Sequence, residues 1–90
     1  MTWRFTLYIK GTTEFTDSQA DALYEAGCSD GSLASSQGRA WIGFDRAASS
    51  LQDAIRTAIS DVRRAGLEVA SLQIDEEELV QDELAQWQTV

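Results

Sequence analysis

Two stretches of the chain alternate apolar and polar residues, which is the pattern of a β-strand with one buried face. They cover residues 3–10 and 39–45. Gln37-Gly38, just before the second stretch, predicts a hairpin turn that follows a short strand at 32–36. The apolar positions expected to face the core are Trp3, Phe5, Leu7, Ile9, Ala40, Ile42 and Phe44.

Residues 50–66 have the spacing of an amphipathic helix, with apolar residues at i, i+3, i+4, i+7, i+8 and i+11. Either Ser49 with Gln52 or Ser50 with Asp53 is suited to cap its start. The glycine at its end suits the left-handed turn that closes many helices. The predicted inner stripe is Leu51, Ala54, Ile55, Ala58, Ile59, Val62 and Ala65.

A second helix is predicted at residues 17–27. Thr16 and Gln19 have the spacing of a capping box, in which each side chain bonds the backbone N–H of the other residue. A glycine again marks the C-terminal end. The residues expected on its inner face are Ala20, Leu23, Tyr24 and Gly27.

Residues 68–74 alternate as a last strand, with Ala70, Leu72 and Ile74 on one side. The element order is therefore β-α-β-β-α-β, the split arrangement of ferredoxin-like folds. We expect an α+β, ferredoxin-like domain over residues 1–75, with two helices on one face of an antiparallel sheet. The preference for right-handed crossovers places the first and third strands at the centre.

Residues 76–90 are predicted to add an extra amphipathic helix to the same domain, with Asp75 as its cap. Val80, Leu84 and Trp87 lie at i, i+4 and i+7 and form its apolar stripe. The rest is strongly acidic, and the acids that would meet a partner are Glu76, Glu77, Glu78, Asp82 and Glu83.

The sheet face without helices combines two aromatic residues, Tyr8 and Trp41, with cations on the two central strands. An RNA-recognition sheet stacks bases on such a face. Alternatively, the 76–90 segment covers it with its apolar stripe, or a second copy of the chain does. Large aromatics dominate protein-binding hot spots, so we expect Tyr8, Trp41 and Trp87 to anchor a partner. The cations on this face are Arg4, Lys10 and Arg39.

The chain has seven basic and fifteen acidic residues, a net charge of −8. This balance argues against general affinity for nucleic acid or anionic lipid, which depends on Lys and Arg. It permits a basic or nucleic-acid-binding protein partner, although charge also serves solubility. The single cysteine allows no internal disulfide, and no apolar run is long enough for a membrane span. We expect a cytoplasmic protein.

Enzymatic chemistry is not expected, because the chain contains no histidine, the commonest general base. Cys28 follows a predicted helix end, where nothing lowers a thiol pKa, and is expected to be structural. The acidic run 75–78 lacks the spacing of a calcium loop, and no glycine-rich phosphate loop is present. We expect no cofactor and no metal.

Residues 21–31, 44–55 and 61–67 resemble the N-terminal domain of a group of bacterial helix-turn-helix proteins, among them transcriptional regulators and antitoxins. The resemblance implies that Asp30 and Arg46, which recur in these motifs, form an ion pair between strand ends. It also implies a helix-turn-helix after the last strand, where this chain has its acidic segment. We therefore expect no DNA reading, and a role in pairing or partner recognition.

Two functional hypotheses follow, both of binding without catalysis. The first is a regulator- or antitoxin-like module that binds a protein partner or pairs with itself. The second is a small acidic inhibitor of the phage type, an anti-defence or anti-CRISPR-like DNA mimic that blocks a nucleic-acid-binding protein. The apolar anchors dominate in the first and the acids of the 76–90 segment in the second. Weak nucleic-acid binding by the open sheet is a further alternative.

Overall fold

The computed structural model describes residues 1–74 of the chain, an α+β domain with a four-stranded antiparallel sheet and two helices. The predicted helix at 76–90 lies outside the described residues. The elements are β1 (Thr2–Ile9), α1 (Asp17–Ala26), β2 (Gly31–Ser36), β3 (Arg39–Ala47), α2 (Leu51–Arg64) and β4 (Val69–Ile74).

The strands lie in the order β2-β3-β1-β4, so β3 and β1 are the two inner strands. All three neighbouring pairs are antiparallel. Between β1 and β3 the register pairs Tyr8 with Trp41 and Thr6 with Gly43. Because directly paired residues point to the same side of a sheet, this register decides which side chains meet on each face.

Both helices pack on one face of the sheet, as the alternation predicts. The seven strand positions expected to face the core are all buried, and the rings of Phe5 and Phe44 stack with centroids 5.3 Å apart. All of these strand residues except Ala40 form one cluster with Leu23 of α1 and with one side of α2. The buried residues of α2 are Leu51, Ala54, Ala58 and Val62.

Two predicted helix caps and one predicted hairpin turn are confirmed. Thr16 and Gln19 form the capping box of α1. Ser50 caps α2 by accepting a hydrogen bond from the backbone N–H of Asp53, which selects one of the two alternatives. The β2–β3 turn has Gln37 at φ 52° and glycine next at φ 77°, the geometry that lets a two-residue turn follow the strand twist.

Tyr24 and Gly27, predicted on the inner face of α1, are exposed, and the alternation predicted for β4 is interrupted. Tyr24 is 69% exposed, and Ala26 is buried in its place near the end of α1. In β4 the alternation breaks at a bulge, because Tyr8 pairs with Ser71 whereas Ile9 pairs with Val69. The residue between them, Ala70, has no partner in the register, and the residue before it packs against the core instead.

Candidate protein-binding surfaces

The open sheet face carries one aromatic cluster, on the inner strands. The ring centroids of Tyr8 and Trp41 are 5.7 Å apart and the planes are tilted by 50°. The Arg39 guanidinium carbon lies 4.1 Å from the Tyr8 ring centroid, in a cation–π contact. The Tyr8 hydroxyl donates to Oε1 of Gln73 on β4 at 3.1 Å. Both rings are half-buried, so each keeps surface available to a partner.

The other cations of this face are matched by carboxylates that the sequence analysis did not assign to it. Nε of Arg4 lies 3.1 Å from Oδ1 of Asp45, and both side chains are well exposed. Lys10 Nζ lies 3.9 Å from Oε2 of Glu68. Within residues 1–74, Arg39 forms no ion pair with a carboxylate. Its charge is therefore the one on this face most available to an acidic group.

Small residues separate the aromatic cluster from the Arg4–Asp45 pair. Thr6 and Gly43 face each other midway between them. A Cβ added at Gly43 would meet nothing within 4 Å. The centre of the face is therefore low and allows another surface to approach closely.

The acidic half of the predicted binding site lies outside the described residues. Residues 1–74 hold nine acidic and seven basic side chains, a net charge of −2, and residues 75–90 hold six acids and no base. Eight predicted contact residues lie in that segment, outside the described residues. They are Glu76, Glu77, Glu78, Val80, Asp82, Glu83, Leu84 and Trp87.

A groove of about 700 Å³ runs between α2 and the edge strand β4. Four apolar residues line it, and polar side chains of α2 complete its wall. The sequence analysis placed Ile55 and Ile59 in the core stripe, but both are only half-buried and open onto this groove. The groove-lining residues are Leu51, Gln52, Ile55, Arg56, Ile59, Ser60, Arg63 and Ile74.

A buried arginine cluster joins α1, β3 and α2 on the helix side of the sheet. Arg46 is 8% exposed. Its Nε and Nη2 donate to the two carboxylate oxygens of Asp30 at 2.8 and 3.0 Å, which confirms the expected ion pair. Its Nη1 donates to Asp61 Oδ2 at 3.0 Å and to Thr57 Oγ1 at 3.2 Å, and Nη2 donates to the Gly27 carbonyl at 2.9 Å.

These bonds use all five N–H donors of the Arg46 guanidinium. Its hydrogen bond to Asp30 raises the pKa of Arg46 above the ordinary value, so the group stays charged. Gly27 fits here because its φ is +114° and because a Cβ would lie 2.8 Å from Asp61 Oδ2. Such a fully satisfied buried ion network is expected to stabilise the fold rather than bind a ligand.

Cys28 lies beside this cluster and is unsuited to nucleophilic chemistry. It is 5% exposed. Burial, together with the nearby Asp61 carboxylate, raises the pKa of its thiol to about 11. Because the thiolate is the reactive form, the group is inert at neutral pH, in agreement with the structural role expected for it.

No group of three or more His, Cys, Asp or Glu in residues 1–74 is arranged to hold a metal ion. Neither α1 nor α2 is long and apolar enough to cross a membrane.

Sequence reasoning missed the groove and most of the arginine cluster. Asp61 and Thr57 fall outside the predicted apolar stripe of α2, and yet both bond the buried Arg46. One signal was present: Arg46 follows Ala40, Ile42 and Phe44 at every second position of β3, and so falls on the core face. A charged residue in that phase requires buried partners.

Comparison with known proteins gives no relative for this chain. No protein-family model matches it, and no match is found among curated proteins or solved structures.

Proposed function

We propose that this chain is a non-enzymatic pairing module whose open sheet face binds the same face of a second copy. The observation that carries the proposal is the layout of this face. The Tyr8–Trp41 pair lies two residues to one side of the Thr6–Gly43 pair, and Arg4–Asp45 lies two residues to the other side. The aromatic end of the face, with its cation, and the end with the Arg4–Asp45 ion pair thus lie at equal distances from a centre that has only small side chains.

In the proposed pair, the open faces of two copies stack on each other. The two-fold axis lies between the two sheets and crosses the strands at the Thr6–Gly43 pair. Each end of the face in one copy is then opposite the other end in the second copy. Trp41 of one copy then lies opposite Asp45 of the second copy, and the guanidinium of Arg39, at the same end of the face, can reach that carboxylate. Arg4 of the second copy faces the rings of Tyr8 and Trp41. Two-fold interfaces use one self-complementary patch on both subunits, and this face has that property.

The size of the face indicates weak pairing. Four strands about 4.8 Å apart and six residues of about 3.3 Å each give a footprint of about 400 Å². A two-fold interface on this face therefore buries about 800 Å² in total, which is the size of transient contacts. Pairing is expected at micromolar or higher protein concentrations, which suits a reversible regulatory module.

Two further observations support this class of function. The absence of histidine and the buried, protonated Cys28 favour a role without catalysis. The element order and the β2-β3-β1-β4 arrangement support the ferredoxin-like assignment, and with it the resemblance to the N-terminal domain of helix-turn-helix regulators. In such a protein a pairing domain would bring two copies together.

The test is sedimentation velocity of the full chain at concentrations up to about 500 µM. Wild type should shift from monomer towards dimer, and Gly43→Lys should stay monomeric, because its side chain occupies the two-fold centre without a clash inside the monomer. Trp41→Ala should weaken pairing about tenfold or more. Tyr24→Ala is the matched aromatic control on the exposed side of α1 and should pair like wild type.

A charge exchange tests the orientation. Arg39→Asp places two carboxylates opposite each other in a homodimer, and Asp45→Arg places two guanidinium groups opposite each other. Each variant alone should be monomeric, whereas an equimolar mixture should pair, because both cross-copy contacts are then complementary. A monomeric mixture with both variants folded would reject this pairing.

The nucleic-acid alternative has its own readout. Titration with a single-stranded oligonucleotide should leave the tryptophan fluorescence of wild type unchanged. Quenching that is lost in Trp41→Ala, together with wild type remaining monomeric, would assign the open face to base stacking instead.

A further inference from the structure

The groove between α2 and β4 is incompletely covered apolar surface. Ala54, Ala58 and Val62 of α2 are fully buried against the sheet, whereas Ile55 and Ile59 on the same helix are only half-buried. The stripe of α2 is therefore wider than the part of the sheet beneath it. Apolar surface of this kind marks a place where another segment packs.

The edge strand does not close the groove. β4 is the last strand of the sheet on this side, and its Leu72 remains 40% exposed. Ile74 contributes the only β4 side chain among the described residues that line the groove. A second helix beside α2, over β4, would cover all of these side chains.

The part of the chain that follows β4 begins at this groove. Ile74, a wall residue of the groove, is immediately followed by residues 75–90. As the helix that its sequence predicts, this segment of sixteen residues would be about 24 Å long, against about 21 Å for α2. Its apolar residues, Val80, Leu84 and Trp87, are spaced to form one stripe.

The charges of groove and segment are complementary. Arg56 and Arg63 of α2 line the groove. Arg56 bonds Asp53 on its own helix, and Arg63 has no ion pair among residues 1–74. On the segment, Glu83 borders the apolar stripe, three residues after Val80. Six acids and no base in 75–90 give it the opposite sign.

We infer that residues 75–90 of the same chain dock in the α2–β4 groove, with Val80, Leu84 and Trp87 on its apolar floor. Phe5 pairs with Ile74 at one end of the sheet, close to the start of α2. The segment therefore reverses direction after Ile74 and runs alongside α2. Its first acids then lie near the positive N-terminal end of that helix. This arrangement leaves the open sheet face free.

Disulfide trapping in the full chain tests the inference. Ser60→Cys places a thiol in the groove wall, and Gln81→Cys or Glu83→Cys places one on either side of the apolar stripe. Under mild oxidation the groove pair should form a cross-link within one chain, read as the loss of both engineered thiols in a species that stays monomeric on a non-reducing gel. The matched control combines Thr6→Cys on the open face with the same partner positions and should form no cross-link within one chain.

Each other result contradicts the inference. A cross-link within one chain between Thr6→Cys and a segment cysteine, with none through Ser60→Cys, would place the segment on the open face. A cross-linked dimer through Ser60→Cys would mean that the segment of a second copy fills the groove. No cross-link in either pair, with both variants folded by circular dichroism, would leave residues 75–90 undocked.

Charge reversal provides a second readout that does not disturb the apolar contact. Arg63→Glu should lower the rate of Ser60→Cys cross-linking about threefold, because an exposed ion pair contributes at most about 1 kcal/mol. Lys10→Glu, a matched reversal at an exposed site away from the groove, should leave the rate unchanged. Equal rates in both variants would show that the acids do not guide docking.

Discussion

Strand β3 carries an arginine near each end, and the two lie on opposite faces of the sheet. Arg46 points into the domain, where two carboxylates, a hydroxyl and a carbonyl satisfy all of its donors. Arg39 points outward and lies on the ring of Tyr8, with no carboxylate beside it among residues 1–74. The same side chain thus fixes the packing of three elements in one place and is available for recognition in the other.

The largest expected effect is that of Arg46→Met, which keeps an unbranched apolar stem of the side chain and removes the charged guanidinium. Asp30 is then left partly buried without its counterion, and Asp61 keeps only its longer contact with Arg64, at 3.7 Å. Removing one partner of a buried ion pair costs about 3–5 kcal/mol of unfolding free energy. Urea titration followed by circular dichroism measures the loss. A loss below about 1 kcal/mol would mean that water replaces the guanidinium at no cost.

Arg46→Lys sharpens this result, because it keeps the charge but not the planar fork. A lysine ammonium has three donors and cannot bond both oxygens of Asp30 while it also reaches Asp61. We expect an intermediate loss of about 2 kcal/mol on the same titration. If Arg46→Lys matches wild type, the charge alone matters and the network geometry does not.

The two faces of β3 also differ in neighbouring hydrophobic residues. Ile42 is fully buried under the helices, so Ile42→Ala should lower the free energy of unfolding by about 2–5 kcal/mol. Trp41 is a larger residue, yet Trp41→Ala should cost only about 1 kcal/mol, because its ring lies on the open face. Thermal and urea unfolding compare the two variants. Equal losses would mean that the open face is covered within the monomer.

The contrast between the two faces of the sheet could be predicted from the sequence only where it depends on the alternation of apolar and polar residues along a strand. Alternation placed Trp41 and Ile42 on opposite sides correctly, and the capping residues Thr16 and Ser50 followed from local hydrogen-bond chemistry. These features depend on neighbours a few residues apart. The bulge at Ala70 does not, since it arises from how two distant strands pair.

The candidate sites show the same limit. Tyr8 and Trp41 were expected to meet, because both lie on the outward phase of strands predicted to be adjacent. The groove was not expected, because the spacing of Ile55 and Ile59 says which side of a helix they occupy and not how far the sheet extends beneath them. The role of Asp61, which falls outside the apolar stripe of α2, could not be predicted for a related reason. Its partner, Arg46, is fifteen residues away and reaches it only in the folded domain.

A pH-dependent effect of moderate size is expected from Cys28. Its thiol pKa is raised from 9.0 to about 11 in the folded domain, so the folded state holds the proton more tightly than the unfolded state. The stabilisation from this group is complete below pH 9 and is lost as pH rises from about 9 to 11. It amounts to about 2–3 kcal/mol.

Comparison with Cys28→Ala isolates the contribution of this thiol from those of all other groups. The free energy of unfolding of wild type minus that of Cys28→Ala, from urea titrations between pH 8 and 11, should fall steadily. A difference that stays constant would mean that the thiol ionises equally easily in both states.

The smallest expected effect on stability is that of Arg39→Met, the same substitution as at the other end of β3. Methionine keeps the contact with the Tyr8 ring, since its sulfur packs well on aromatic edges. An exposed cation–π contact contributes about 0.5–1 kcal/mol, so urea titration should show a loss of this size or less. Dimer formation in sedimentation velocity should nevertheless weaken, because no charge remains to meet Asp45 of the second copy. Unchanged pairing, or a stability loss as large as that of Arg46→Met, would remove the distinction between a structural and a recognition arginine on this strand.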